Sequence, residues 1–188
     1  MPRVPLTRLA HEALAAVLRP GDWAVDATAG NGHDTAFLAH QVGPEGHVWA
    51  FDVQPRALLQ TASRLESLGL RERCSLIRGS HGQMAEHLPS SALGRVQAVV
   101  FNLGYLPGSD KKCITRLDST LAALACTQRL LAPEGLLSVM AYRGHEGGDE
   151  EAQGVARWLE ESGFQTQTQA APGRGPVLLL SRFQEKFS

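Results

Sequence analysis

The chain has 188 residues, a length that suits one domain around one sizeable core. Apolar residues at 43% and charged residues at 20% exclude disordered, collagen-like and coiled-coil architectures. A net charge of −1 argues against nonspecific coating of nucleic acid, though it leaves room for a local basic patch.

In chain order, the opening MPRVPLTRLAHEALAAVLRP reads as an amphipathic helix and not as a signal segment. No apolar run reaches the length of a bilayer span, so no membrane partner is expected and the cytoplasm is the expected location. Helical spacing holds from Ala10 to Leu18, and Pro20-Gly21 ends it. Trp23 to Ala27 is a predicted strand, and His33 to Gln41 a helix carrying Phe37 and Leu38 on one face. The next pair is a strand from His47 to Asp52 and a helix from Pro55 to Leu68, with Pro55 at its start. Ser75 to Arg78 is a third strand, followed by a short helix from Gln83 to Leu88. Val96 to Phe101 is a fourth strand, followed by a Gly/Pro loop and a helix from Ser119 to Leu131. Leu136 to Ala141 and the helix Glu150 to Glu161 complete the alternation. Phe164 to Gln169 and Val177 to Phe183 have no room for a helix between them and should pair antiparallel.

This alternation predicts a doubly wound α/β fold with a mostly parallel, seven-stranded sheet and a C-terminal antiparallel hairpin. Residues 1–188 are expected to form a single domain, with the first 20 residues packing on it as a helix. Cys74, Cys113 and Cys126 are scattered and never spaced as CxxC, so neither a disulfide framework nor a metal site is expected. In such sheets ligands bind beyond the carboxyl ends of the strands, so the loops there should carry the chemistry.

The first of these loops holds Asp26, Thr28, Gly30, Asn31, Gly32, His33 and Asp34. Its glycines let backbone approach a ligand, and Asp52, 22 residues after Gly30, stands where a carboxylate can accept both hydroxyls of a ribose. Thr35 replaces the third glycine of a dinucleotide fingerprint, and Asp26 would face a diphosphate unfavourably. A cationic cofactor tail suits Asp26 better. The pattern resembles motifs I and II of class I methyltransferases, which implies S-adenosylmethionine. A flavodoxin-like sheet with an incidental glycine turn is the alternative. Ser80-His81, after the third strand, falls where such enzymes contact adenine, and Ser80 could also cap the helix near Gly82.

The fourth strand runs into Phe101-Asn102-Leu103-Gly104-Tyr105-Leu106-Pro107-Gly108. This resembles the Asn/Asp-Pro-Pro-Tyr loop of methyltransferases that modify exocyclic amines, with Leu-Gly in place of Pro-Pro. Methyl transfer is an in-line displacement, so the lone pair of the amine must be aimed. The Asn102 side-chain carbonyl and the Leu103 backbone carbonyl can each accept an amine N–H and set that aim. Tyr105 can pack on the substrate base and favour developing positive charge. After the fifth strand, Tyr142 or His145 could take the proton an alkylamine must lose before it attacks.

The segments DATAGNGHDT, FDVQ, FNLGYLPG.DK with a following Thr, and Y.GHEGG.EE resemble the YtqB/MnmM-like methylase family across nearly the whole chain. That resemblance implies a class I fold with S-adenosylmethionine held by Asp26, Thr28, Gly30, Asn31, Gly32, His33, Asp34, Asp52, Gln54, Ser80, His81 and Asn102. It implies Asn102, Tyr105, Tyr142 and His145 as the catalytic group. The acceptor it implies is the amine of 5-aminomethyl-(2-thio)uridine at the tRNA wobble position. The alternatives are ribosomal RNA, a small-molecule or protein amine, and a nucleotide-binding module without catalysis. The chain departs from the family pattern at Gly108 to Arg116 and at Gly173 to Pro176. Lys111, Lys112, Arg116 and Arg143, joined by Arg174, are the candidate contacts to a tRNA anticodon loop. The oligomeric state stays open, a homodimer being one way a small methyltransferase completes an RNA surface.

Overall fold

A computed structural model describes residues 4–104 and 115–183. Seven strands form one sheet: β1 (Trp23–Asp26), β2 (His47–Asp52), β3 (Cys74–Arg78), β4 (Val96–Leu103), β5 (Leu131–Ala141), β6 (Phe164–Ala170) and β7 (Val177–Phe183). Their order is β3-β2-β1-β4-β5-β7-β6. The first five run parallel, and β7 lies antiparallel between β5 and β6. The predicted sheet and its hairpin are therefore present. From β1 the chain moves outward to β2 and β3, then returns to place β4 on the other side of β1. That reversal opens a crevice at the carboxyl ends of β1 and β4.

Five α-helices cover the sheet: α1 (Leu6–Val17), α2 (His33–Val42), α3 (Pro55–Ser67), α4 (Leu117–Leu130) and α5 (Gly148–Glu161). One core joins Ala123 and Leu124 of α4 and Val155 and Leu159 of α5 to Val25, Phe51, Val99, Phe101 and Leu103. A second joins Leu14 of α1, Leu38 of α2 and Leu65 of α3 to Ala24, Val48, Ala98 and Val100. Burying a side chain such as Phe51 or Phe101 stabilises the fold by about 1.5–3 kcal/mol. The two cores obey the two-residue period of a strand. Because Val99, Phe101 and Leu103 face α4 and α5, Asn102 falls on the face of α1 and α2. By the same alternation Asp26 joins Ala24 on that face.

Several boundaries differ from those the sequence pattern predicts. Helix α1 begins at Leu6, because Leu6 and Ala10 extend its buried stripe onto Met140 and Leu178. Strand β4 continues through Asn102 and Leu103, since β5 supplies Met140 and Ala141 as register partners. Residues 131–135 belong to β5 through a register irregularity, with Glu134 at φ +62°. The short helix after β3 is a 3₁₀ turn over His81–Glu86.

Gly32 opens α2 at φ +77°, a conformation costly for side chains with a Cβ. A Cβ at this position would sit 2.8 Å from the Thr61 Cα on α3. Gly32→Ala is therefore expected to destabilise the chain by about 1–3 kcal/mol. Chemical denaturation would read this as a lower midpoint at unchanged slope; an unchanged midpoint would mean that α3 can move aside.

Candidate active site

The glycine turn after β1 is held from two sides. The Asp52 carboxyl, at the end of β2, accepts the Gly30 N–H at 2.9 Å and the Gln54 N–H at 2.8 Å. A carboxylate offers about four lone-pair sites, so each oxygen retains capacity for a further donor such as a hydroxyl. From α3, the Thr61 hydroxyl donates to the Gly30 carbonyl at 3.2 Å, and Arg64 Nε donates to the Asn31 carbonyl at 2.8 Å. Arg64 also meets His33 Nε2 at 3.1 Å, which turns the His33 ring toward the exposed α2–α3 surface. Thr61 and Arg64 were not legible as loop braces, since both read as ordinary positions of an amphipathic helix.

Behind the turn lies Asp26, wholly buried. It accepts the Thr35 hydroxyl at 2.6 Å and the Thr28 N–H at 3.1 Å. Burial pushes its carboxyl from an ordinary 3.8 up to about 7, and the neighbouring Asp34 adds to the rise. Asp34, at the first turn of α2, behaves oppositely. Burial alone would raise its carboxyl, but hydrogen bonds to His11 and Asn102 outweigh that and hold it below the ordinary value. Of this pair Asp34, the more exposed, therefore ionises first, and the buried Asp26 gives up its proton only near pH 7.

Asn102 joins β4 to this loop. Its backbone N–H donates to the Thr28 hydroxyl at 2.7 Å, and its side-chain Nδ2 donates to Asp34 Oδ2 at 2.6 Å. The Leu103 carbonyl, expected as a second amine acceptor, takes the Tyr142 N–H at 2.9 Å on one of its two lone pairs, because β4 runs two residues further than its apolar run suggests.

The far wall is built from α4, α5 and the 3₁₀ turn. Ser80 caps that turn, its hydroxyl accepting the Gly82 N–H at 3.2 Å. His81 is buried beside it, with Nδ1 3.2 Å from the Ala27 carbonyl and burial lowering its imidazole pKa. Glu151 of α5, 4% exposed, accepts hydroxyls from Thr115 at 2.7 Å and Thr120 at 2.8 Å. Thr115 in turn receives the Gly104 N–H at 2.8 Å and donates its own N–H to the Gly104 carbonyl at 3.0 Å. Glu151 thus anchors the point where Gly104 and Thr115 meet. Glu151 closes the Y.GHEGG.EE segment without a role legible there, and Thr120 belongs to no motif, so only folding reveals their part.

Tyr142 follows β5 with its ring 39% exposed. Burial raises its phenol pKa and the Asp34 charge raises it further, so the hydroxyl keeps its proton at neutral pH. His145 is half-buried, with Nδ1 2.9 Å from the Glu146 carbonyl. Its Nε2 faces Gly104 and Gly148, standing 3.5 Å and 3.0 Å from where a Cβ on each would lie. Tyr142 and His145 are therefore brought to the end of β4, beside Gly104. The predicted Tyr105, Lys111 and Lys112 lie outside the described residues.

The remaining basic candidates are mostly engaged within the chain. Arg143 donates from Nε to the Gly175 carbonyl and from a terminal nitrogen to the Gly173 carbonyl, both at 2.8 Å. It uses two of its five N–H donors to brace the β6–β7 loop. Arg174 pairs with Asp149, and Arg116 lies exposed 3.6 Å from Asp118.

The buried Asp26 makes a pH prediction. A carboxyl raised in the folded chain holds its proton more tightly there than in the unfolded one, so ionising it opposes folding. That opposition grows between about pH 4 and pH 7 and is complete above 7. Without ligand, Asp26→Asn is expected to gain stability relative to the wild type as pH rises through this window. Paired thermal melts at pH 5.5 and 8 check it, and a difference independent of pH would refute the assignment.

The model of the family described as "Putative rRNA methylase" matches residues 48–170. A chloroplastic tRNA (mnm(5)s(2)U34)-methyltransferase of Arabidopsis thaliana is 42% identical over 161 residues, covering 81% of this chain. This chain spans 58% of that relative's length. The crystal structure of an rRNA methylase, itself described as putative, from Clostridium thermocellum is 34% identical, with a TM-score of 0.89, covering 96% of this chain and 98% of that one. A methyltransferase of Streptococcus mutans, likewise described as putative and solved with SAH, is 33% identical with a TM-score of 0.82, at 96% and 98% coverage. The fold accords with these structural likenesses, and the chain belongs to the rRNA methylase family that the matching model describes.

Proposed function

We propose that the chain is an S-adenosylmethionine-dependent N-methyltransferase acting in the cytoplasm on tRNA. Its acceptor is the amine of a wobble 5-aminomethyl-(2-thio)uridine, which becomes the 5-methylaminomethyl form. The observation that carries this reading is the Asn102 amide at the switch point of the sheet. Its nitrogen is committed to Asp34, so its carbonyl oxygen, on the opposite branch of the amide, can accept a substrate N–H. The names of the Arabidopsis relative and of the S. mutans complex support the acceptor and the cofactor respectively.

The residues present fit the cofactor. Asp52 would hold the ribose hydroxyls with the capacity left on its oxygens. The Gly30–Gly32 backbone and the Asp34 charge would hold the aminoacyl end, whose ammonium suits a carboxylate. The segment Gly79–His81 would border the adenine, since the Gly79 N–H is tied to the Asp52 carbonyl at 3.1 Å. When bound, the cofactor supplies an electrophilic methyl carbon that passes to the amine nitrogen while the C–S electron pair stays on sulfur.

The chain's own residues do the rest. Asn102 Oδ1 accepts one amine N–H, and the lone pair of the Leu103 carbonyl that Tyr142 leaves open can accept another, so that the amine lone pair is aimed. The Tyr142 ring offers a half-exposed face on which an unpaired base can stack. An alkylammonium must lose its proton before it attacks, and His145 is the group beside Gly104 suited to take it. Tyr142 is unsuited to that part because its phenol keeps its proton. Arg116, exposed at the start of α4, would add phosphate contacts.

The test is purified protein with labelled S-adenosylmethionine and bulk tRNA from a strain lacking the enzyme, read by nucleoside mass spectrometry. A new 5-methylaminomethyl-uridine species is expected. Asn102→Ala is expected to bind cofactor within about twofold of wild type while losing roughly 100-fold or more in turnover. Label appearing only in ribosomal RNA or a free amine would overturn the acceptor, and wild-type turnover in the variant would overturn the role of Asn102.

A further inference from the structure

Helix α1 stands outside the strand–helix alternation, yet one of its side chains reaches the centre of the site. His11 Nε2 lies 2.6 Å from Asp34 Oδ1, and Asp34 Oδ2 accepts Asn102 Nδ2 at 2.6 Å. The His11 ring is stacked on Phe37 of α2, with centroids 3.9 Å apart and planes 6° from parallel. The stack fixes the plane of the imidazole, and with it the direction of the bond to Asp34. Both oxygens of the Asp34 carboxyl are thereby engaged, one by α1 and the other by β4. We infer that His11 is a positioning residue: through Asp34 it holds the Asn102 amide with nitrogen inward and carbonyl oxygen toward the substrate amine.

The physical case rests on how an amide group is oriented. Rotated by a half turn, the Asn102 side chain would present NH₂ to the substrate and its oxygen to Asp34. An acceptor facing a carboxylate is repulsive, so the Asp34 charge selects the aligning rotamer. A carboxyl held at only one oxygen could swing away from Asn102; the His11 bond removes that freedom. His11 occupies a half-buried position at the α1–α2 contact and is not aimed at the substrate. Its influence on the reaction therefore passes through Asp34, and the inference rests on the amine-aligning role proposed for Asn102.

Two readouts separate this inference from that reading. The first uses the full ¹⁵N-labelled chain with S-adenosylhomocysteine, following the Asn102 side-chain amide resonances, identified by their loss in Asn102→Ala. One Asn102 amide proton is expected far downfield and slow to exchange. In His11→Ala it should move toward the random-coil position, while His11→Gln, which keeps an N–H donor, should restore much of the shift. The second is kinetic: at saturating cofactor, His11→Ala should lower kcat on tRNA by roughly 10- to 100-fold with KM for tRNA within about twofold, and His11→Gln should recover most of it. An unmoved Asn102 resonance in His11→Ala would overturn the inference. So would a wild-type kcat, or a loss that only tracks weakened cofactor binding or a lowered melting temperature. A wild-type enzyme inactive on tRNA would sink the proposed acceptor, and the amide resonance would then decide the positioning by itself.

Discussion

Asp26 and Asp34 flank one glycine turn in a region of low dielectric, and the division of charge between them sets the electrostatics of the whole cleft. Two neighbouring carboxylates withdrawn from water resist ionising together. Asp26 has lost all contact with solvent, and the Thr35 hydroxyl and Thr28 N–H only partly offset that. Asp34 keeps partial exposure and gains His11 and Asn102 as partners. Charge therefore settles first on the less buried carboxyl, at the start of α2, where the helix dipole also favours an anion. A cleft with its charge at the back wall would attract a cation to an unreachable place. With the charge on Asp34, it lies beside the residue proposed to aim the acceptor.

The sheet makes this arrangement available. Adjacent parallel strands β1 and β4 bring Thr28 and Asn102 together at the switch point, although 74 residues of chain separate them. Strand alternation then decides which face each residue serves. Phe101 and Leu103 enter the core under α4 and α5, so Asn102 must emerge toward α1 and α2. Its position on a strand, rather than on a loop, gives the side chain a rigid base. The opposite wall is equally braced, with Glu151 collecting the hydroxyls of Thr115 and Thr120 and so tying α5 to α4 and to the end of β4.

Membership of the rRNA methylase family carries the fold, while the proposed acceptor rests on the chemistry of the site. An Asn-based strand end suits an amine nitrogen, which presents N–H groups, better than a ring carbon, which does not. The engagement of Arg143 and Arg174 with the β6–β7 loop and with Asp149 means that basic residues near the cleft first shape its rim. Recognition of RNA by such a surface depends on which N–H donors remain after that internal use.

The strand–helix order, the glycine turn, Asp52 and Asn102 could all be read from the sequence. Each announces itself over a few residues, through a two- or 3.6-residue period or through a residue type required at a strand end. The hairpin of β6 and β7 was legible for the same reason, the linker being too short for a crossover helix. Local pattern was silent on the partners. His11 meets Asp34 across 23 residues, Asn102 meets Asp34 across 68, and Thr120 meets Glu151 across 31. A histidine on an amphipathic helix and a glutamate in the first turn of another look like solvated faces until packing buries them. The charge assignment also reversed on folding. In sequence Asp26, just ahead of the glycines, is the carboxylate suited to a cationic cofactor tail, but desolvation depends on depth, and depth is decided by the tertiary structure alone.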